Sequence, residues 1–93
     1  MQFEWDPAKN TLNLVNHGID FPAAARIFAA PYVVIPTQYQ SEVRSIAIGP
    51  IEGRLIAVVY TLRGTTIRLI SARRARTDER ERYRAVYPGN TAQ

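Results

Sequence analysis

Cysteine is absent from this 93-residue chain, which excludes disulfides and thiolate metal sites. Histidine occurs once, at His17, too few for a His-rich zinc site. No apolar run approaches the ~20 residues of a membrane span. The N-terminal stretch MQFEWDPAKN is acidic and aromatic, without the apolar core of a secretory signal. These absences point to the cytoplasm, to no membrane, and to chemistry without a metal or other cofactor. The chain also lacks repeats, low-complexity tracts and linkers. A single domain is therefore expected over residues 1–88, with 89–93 as a flexible tail.

Lysine is almost missing too. It occurs only at Lys9, so eleven of the twelve basic residues are arginine. The net charge of +4 and pI near 10 favour an anionic partner, either nucleic acid or an acidic protein. The arginines concentrate in Ile67 to Tyr83, IRLISARRARTDERERY, where an apolar strand pattern runs into Arg68, Arg73, Arg74, Arg76, Arg80 and Arg82, with Arg84 beside it. A guanidinium is a planar fork that can give phosphate two hydrogen bonds and stays charged at any working pH. The competing reading is a solvated, salt-bridged helix face, since Asp78, Glu79 and Glu81 are interleaved with these cations.

The order of elements follows from local signals. Phe3 to Trp5 reads as a short strand. Asp6-Pro7 starts a helix, because Asp accepts an N-terminal amide and Pro tolerates the first turn. That helix runs to about Asn16, with Ala8, Leu12 and Val15 on one face, and Gly18 stops it. Asp20 caps a second helix over about Phe21 to Phe28, ended by Pro31. Tyr32 to Pro36 is a β-branched run that must be an edge or broken strand, because Pro36 cannot donate to a ladder. Glu42 to Ile48 alternates, with Glu42, Arg44, Ile46 and Ile48 on one face. Gly49 to Gly53 reads as a turn, Arg54 to Leu62 as a central strand, Arg63 to Thr65 as a tight hairpin and Thr66 to Ala72 as the last strand. Thr77 caps a final helix to about Val86, with Asp78 and Glu79 where the dipole favours anions. The class is α+β: an antiparallel sheet of about four strands, two N-terminal helices and one C-terminal helix.

Several residues could carry chemistry. Glu42 and Arg44 share a strand face, as a base beside a phosphate clamp or as a surface ion pair. Arg68 lies mid-strand on the face opposite Ile67 and Leu69, and Arg63 sits at the hairpin. Arg73 and Arg74 follow the strand end, where rigid elements support sites. His17 either complements the helix dipole or serves as an acid–base group, histidine being the side chain that titrates nearest neutrality. Tyr39 is a base-stacking platform or a loop aromatic. Tyr83 is a core residue or a catalytic one, one helical turn after Glu79.

Taken in order, these stretches resemble the BrnT family of type II toxin–antitoxin ribonucleases. The likeness covers FEWDPAKN (Phe3 to Asn10), Asn13, HGIDF (His17 to Phe21) and Ala24…Phe28. It continues through Glu42-x-Arg44, Ile48-Gly49, GRLIAVVYTLR (Gly53 to Arg63) and IRLISARRA (Ile67 to Ala75). It ends with Glu79-Arg80 and Tyr83. Two positions depart from the pattern: Asn16 stands where the family often has Lys, and Ala30 where it often has Asp. The resemblance implies a RelE-like fold and RNA cleavage. It also implies inhibition by a BrnA-like ribbon-helix-helix antitoxin, in a 2:2 complex that contacts operator DNA only through the antitoxin.

The simplest metal-free chemistry is attack by the RNA 2′-OH on the adjacent phosphate. Glu42 or His17 would be the base, Arg44, Arg68 and Arg73 would hold the phosphate, and Tyr83 or His17 would assist the leaving oxygen. Lys9, Arg63 and Arg74 would bind RNA; Arg73, Arg74, Arg76 and Arg80 would meet the antitoxin. The rival reading is a non-catalytic basic module that only binds an acidic protein or nucleic acid.

Overall fold

Asp6 and Asp20 set the first half of the molecule in place. In the computed structural model, which describes residues 1–39 and 42–93, each caps a helix through its side chain. Asp6 Oδ1 accepts the Ala8 N–H at 2.8 Å and Asp20 Oδ1 the Ala23 N–H at 2.9 Å. Helix α1 spans Pro7–His17 and ends at Gly18, whose φ of 72° is the left-handed stop expected there. The second helix is shorter than its periodicity suggests. α2 covers Phe21–Ala24 and continues as a 3₁₀ segment over Ala25–Ala29.

Five strands form one sheet in the order β1-β5-β4-β3-β2. They are β1 (Gln2–Glu4), β2 (Val33–Tyr39), β3 (Glu42–Ile51), β4 (Arg54–Arg63) and β5 (Thr66–Arg74). All neighbours are antiparallel except β1 and β5, which run parallel with Phe3 opposite Ile67. The sheet thus has one strand more than expected. β2, with Pro36, lies at an edge as its proline requires. The turn expected over Gly49–Gly53 is tighter. Gly49 to Ile51 stay in β3, and only Glu52 (φ 51°) and Gly53 (φ 78°) reverse the chain, two left-handed residues as in a type I′ hairpin. Gly49 is needed where the 3₁₀ segment crosses the sheet: a Cβ there would lie 3.2 Å from Ile27 Cβ.

The two faces of the sheet hold separate cores. On one, Phe21, Ala24, Ile27 and Phe28 pack on Ala47, Ile56, Val58, Tyr60, Leu69 and Ala72. Phe28 is the hub there, with ring centroids 5.0 Å from Tyr32, 5.3 Å from Tyr60 and 5.7 Å from Phe3. On the other, helix α3 (Thr77–Val86) lays Tyr83 over Ile48, Leu55 and Ala57. Its N-cap is Arg76 and not Thr77. Glu79 reaches back to accept the Arg76 N–H at 2.7 Å. The terminal residues, expected to fray, are held against the sheet. Gln93 N–H donates to Gly53 C=O at 2.9 Å, Leu55 N–H donates to Gln93 C=O at 2.6 Å, and Ala92 is buried.

Helix α1 is attached in an unexpected way. Its apolar residues Leu12 and Val15 are 59% and 76% exposed, while Asn13 is 6% exposed. Parallel β1 covers the outer edge of β5 only over Thr66–Arg68. Beyond it, Asn13 takes the place of a strand. Its Nδ2 donates to the carbonyls of Ala72 and Ile19, both at 2.8 Å, and its Oδ1 accepts the Ala72 N–H at 3.0 Å. Asn10 Oδ1 accepts the Phe21 N–H at 2.7 Å. Two asparagines therefore join α1 to the sheet and to α2.

Candidate functional site

The α3 face of the sheet is only half covered. α3 packs on β2 and β3. Towards β1 and the far ends of β3 and β4 the same face is lined by polar side chains. Strand alternation assigns them: Glu42 and Arg44 follow the parity of Ile46 and Ile48, which lie under α3. Arg68 pairs with Thr61 and with Glu4, and Arg73 pairs with Ala57, another residue beneath α3. Glu42, Arg44, Arg68 and Arg73 thus share one face.

Arg44, Arg68 and Arg73 each have a carboxylate partner. Arg44 Nε lies 3.2 Å from Glu42 Oε2, and Arg68 Nη1 lies 3.0 Å from Glu4 Oε2. Arg73 makes a two-pronged contact with Glu79, at 2.8 and 3.0 Å. Their side chains keep 25%, 28% and 18% of their surface exposed, so the forks are oriented yet open to solvent. The Arg73–Glu79 pair differs from the others because Glu79 is 4% exposed. Hydrogen bonds from Arg73 hold the Glu79 carboxyl below its ordinary pKa, against the opposing effect of burial. The same contact raises the Arg73 guanidinium. Glu4 and Glu79 were not among the candidates read from the sequence. The only signal for Glu4 was its place in FEWDPAKN, and its pairing needed the parallel β1–β5 register.

The other candidates lie elsewhere. His17 ends α1 and lines a cleft on the opposite face, with Arg54 and Arg74. Tyr83 is 2% exposed beneath α3, and Asn90 Nδ2 donates to its hydroxyl at 2.9 Å. Burial raises that phenol's pKa. Lys9 is exposed on α1 and Arg63 at the β4–β5 hairpin. Arg76 is exposed at the start of α3, where Arg80 donates to Ala75 C=O and to Thr77 Oγ1. The Tyr39 side chain lies outside what is described. Among the described residues, no three His, Asp or Glu side chains converge as a metal site would need.

An arginine-lined open sheet face in a small basic domain suits an anionic polymer. Residues 5–79 match the family model for BrnT, the ribonuclease toxin of type II toxin–antitoxin systems. The chain belongs to the BrnT family. No curated protein matches it. Family membership makes RNA the substrate and an antitoxin protein the partner. Among the described residues, no helix is long and apolar enough to cross a membrane.

Proposed function

We propose that this BrnT-family chain cleaves RNA on the open half of the α3 face, by 2′-OH transesterification without a metal ion. The observation that carries the reading is the gathering of Glu42, Arg44, Arg68 and Arg73 on one exposed sheet face. Glu42 takes the proton of the 2′-OH, whose oxygen bonds to phosphorus as the P–O5′ bond breaks. Arg44 and Arg68 bear on the pentavalent phosphate, where oriented cations stabilise developing charge. Arg68 uses Nη1 for Glu4, leaving Nε and Nη2 to face a phosphate oxygen. Arg73, gripped by Glu79, is the fixed wall of the site. Solvent at the open face supplies the proton to the leaving oxygen. Holding the 2′-OH in line with phosphorus accounts for much of the rate, so an ideally tuned base is not required. Lys9 and Arg63 extend the cationic path for the strand.

The partner in this reading is a BrnA-like ribbon-helix-helix antitoxin in a 2:2 complex that touches operator DNA through the antitoxin alone. It covers the cationic end of β5 and the start of α3, at Arg73, Arg74, Arg76 and Arg80, and so excludes RNA.

The deciding experiment is RNA cleavage by purified chain, freed of antitoxin, in the presence of EDTA. Cleavage that persists, leaving 2′,3′-cyclic phosphate ends, is the expected result. Activity abolished by EDTA and restored by Mg²⁺ would overturn the metal-free mechanism and recast Glu42 as a metal ligand. RNA bound but never cut would favour the non-catalytic module.

A further inference from the structure

A second concavity lies on the sheet face away from Arg44, Arg68 and Arg73. It has a volume of about 580 Å³ and is enclosed by the end of α1, the α1–α2 connection and the β3–β4 hairpin. Its apolar lining is aliphatic: Leu14, Ile19, Ile51 and Ile56. Its charged lining is Arg26, Arg54 and Arg74 with Asp20 and Glu52; Asp20 is engaged as the α2 N-cap and Glu52 lies beside Arg26. Arg74 pairs with Ile56 across β4 and β5, and Arg54 points the same way two residues earlier. Their Cα positions are therefore diagonal neighbours on one face, about 7–8 Å apart.

The two cations have no ionic partner among the described residues. Arg26 at the same cleft is paired with Glu52 at 3.6 Å, and Arg44, Arg68 and Arg73 on the opposite face are each paired. Two like charges at this spacing repel each other, and an anion placed between them relieves that repulsion. The cleft holds no Phe, Tyr or Trp; its one ring is the His17 imidazole at the end of α1, and the rest of its uncharged surface is aliphatic. Aliphatic lining beside two forks matches a peptide in which branched apolar side chains flank a carboxylate.

We infer that this cleft receives an acidic, aliphatic segment of the antitoxin. The inference rests on the toxin reading above and extends it. Arg74 is the junction, since it ends β5 two residues before the Arg76 N-cap. A partner seated on the α3 end continues past Arg74 onto the back of the sheet. Part of its grip is then on a face that RNA does not use.

Amide hydrogen exchange of the free chain and of its antitoxin complex tests this. Exchange should slow at residues 14–20 and 51–54 in the complex. Slowing confined to 73–86 would overturn the cleft assignment while leaving the antitoxin at the α3 end. A DNA oligonucleotide, which lacks the 2′-OH, serves as the nucleic-acid arm and should leave 14–20 and 51–54 unchanged. If it slows them and the antitoxin does not, the cleft is a nucleic-acid site and the inference fails. Arg54→Glu should weaken antitoxin binding about tenfold or more, with cleavage by the free chain unchanged. The exposed Leu14, changed to Ser, should do the same through lost apolar contact. Unchanged affinity in both variants overturns the inference. A free wild-type chain that fails to cut RNA, while its antitoxin still protects the cleft, sinks the ribonuclease mechanism and supports the cleft.

Discussion

Arg68 rises from the middle of β5 and meets Glu4 on the neighbouring parallel strand, 3.0 Å away. Such a partly exposed pair contributes under about 1 kcal/mol to folding. Its use is to aim the fork, and the same holds for Glu42 on Arg44. Removal of either arginine should therefore leave the fold intact and remove a preoriented donor, which typically costs ~2.7–4 kcal/mol in the transition state. Arg44→Ala or Arg68→Ala should each slow RNA cleavage by about 100-fold or more, with an unchanged melting temperature. Lys should restore little, because it lacks the fork. A folded double variant with full activity would refute the clamp. Asn13 is the opposite kind of residue, remote from the open face and structural. Asn13→Ala leaves the Ala72 N–H and the Ala72 and Ile19 carbonyls without their side-chain partner. Unmade buried hydrogen bonds cost roughly 1–3 kcal/mol each, so a loss of about 2–4 kcal/mol is expected in urea unfolding after partial rehydration. A change below about 0.5 kcal/mol would mean that α1 is held by something else.

Helix α3 is joined to the sheet by Tyr83 in the apolar seam and by Glu79 on Arg73. The folded-state pKa of Glu79 is depressed, so its contribution to stability is complete above the unfolded carboxyl value of about 4.3 and disappears as pH falls through the folded value. Glu79→Gln leaves Arg73 without its charged partner. At neutral pH it should destabilise by about 1–3 kcal/mol, less than for a fully buried pair, because the Arg73 side chain keeps 18% of its surface exposed. The difference in melting temperature between wild type and variant should narrow as pH drops below 4.3. A constant difference down to pH 2 would show that the carboxylate charge of Glu79 is irrelevant to folding. Much at this scale was legible in the chain, because capping and turn residues act locally: Asp6, Gly18, Asp20 and Pro36 do what their chemistry dictates. What was not legible depends on distant partners. Nothing within β1 signals that it will run parallel to β5, 64 residues on. Leu12 and Val15 suggest a buried stripe by periodicity, yet Asn13 faces the sheet because the open edge of β5 needs hydrogen bonds more than apolar cover. The face shared by Glu42 and Arg44 was readable from period two. The separation of His17 and Tyr83 from it required the whole topology.

Across the whole molecule, the arginines divide between the two faces of the sheet and its α3 end, and the net charge of +4 gives an approaching anion a favourable field. Arg73 is a poor place to test how the antitoxin uses that field, since a carboxylate there would oppose buried Glu79 and disturb the fold. Arg74 and Arg76 are both exposed. Reversing both to Glu changes the charge by four and brings the net from +4 to zero. Rim charges act mainly on association, so the double variant should bind antitoxin with an association rate lower by about 10-fold or more at low salt and nearly independent of ionic strength. Apolar contacts elsewhere, through Val86 at 56% exposure among others, should leave dissociation little altered. RNA cleavage by the same variant should fall with it, because the loss of four charges weakens the field that draws RNA to the adjoining open face. Stopped-flow binding at several salt concentrations measures the first effect and a cleavage assay the second. If the affinity and its salt dependence match those of the wild type, the antitoxin docks away from these arginines and must inhibit without covering them.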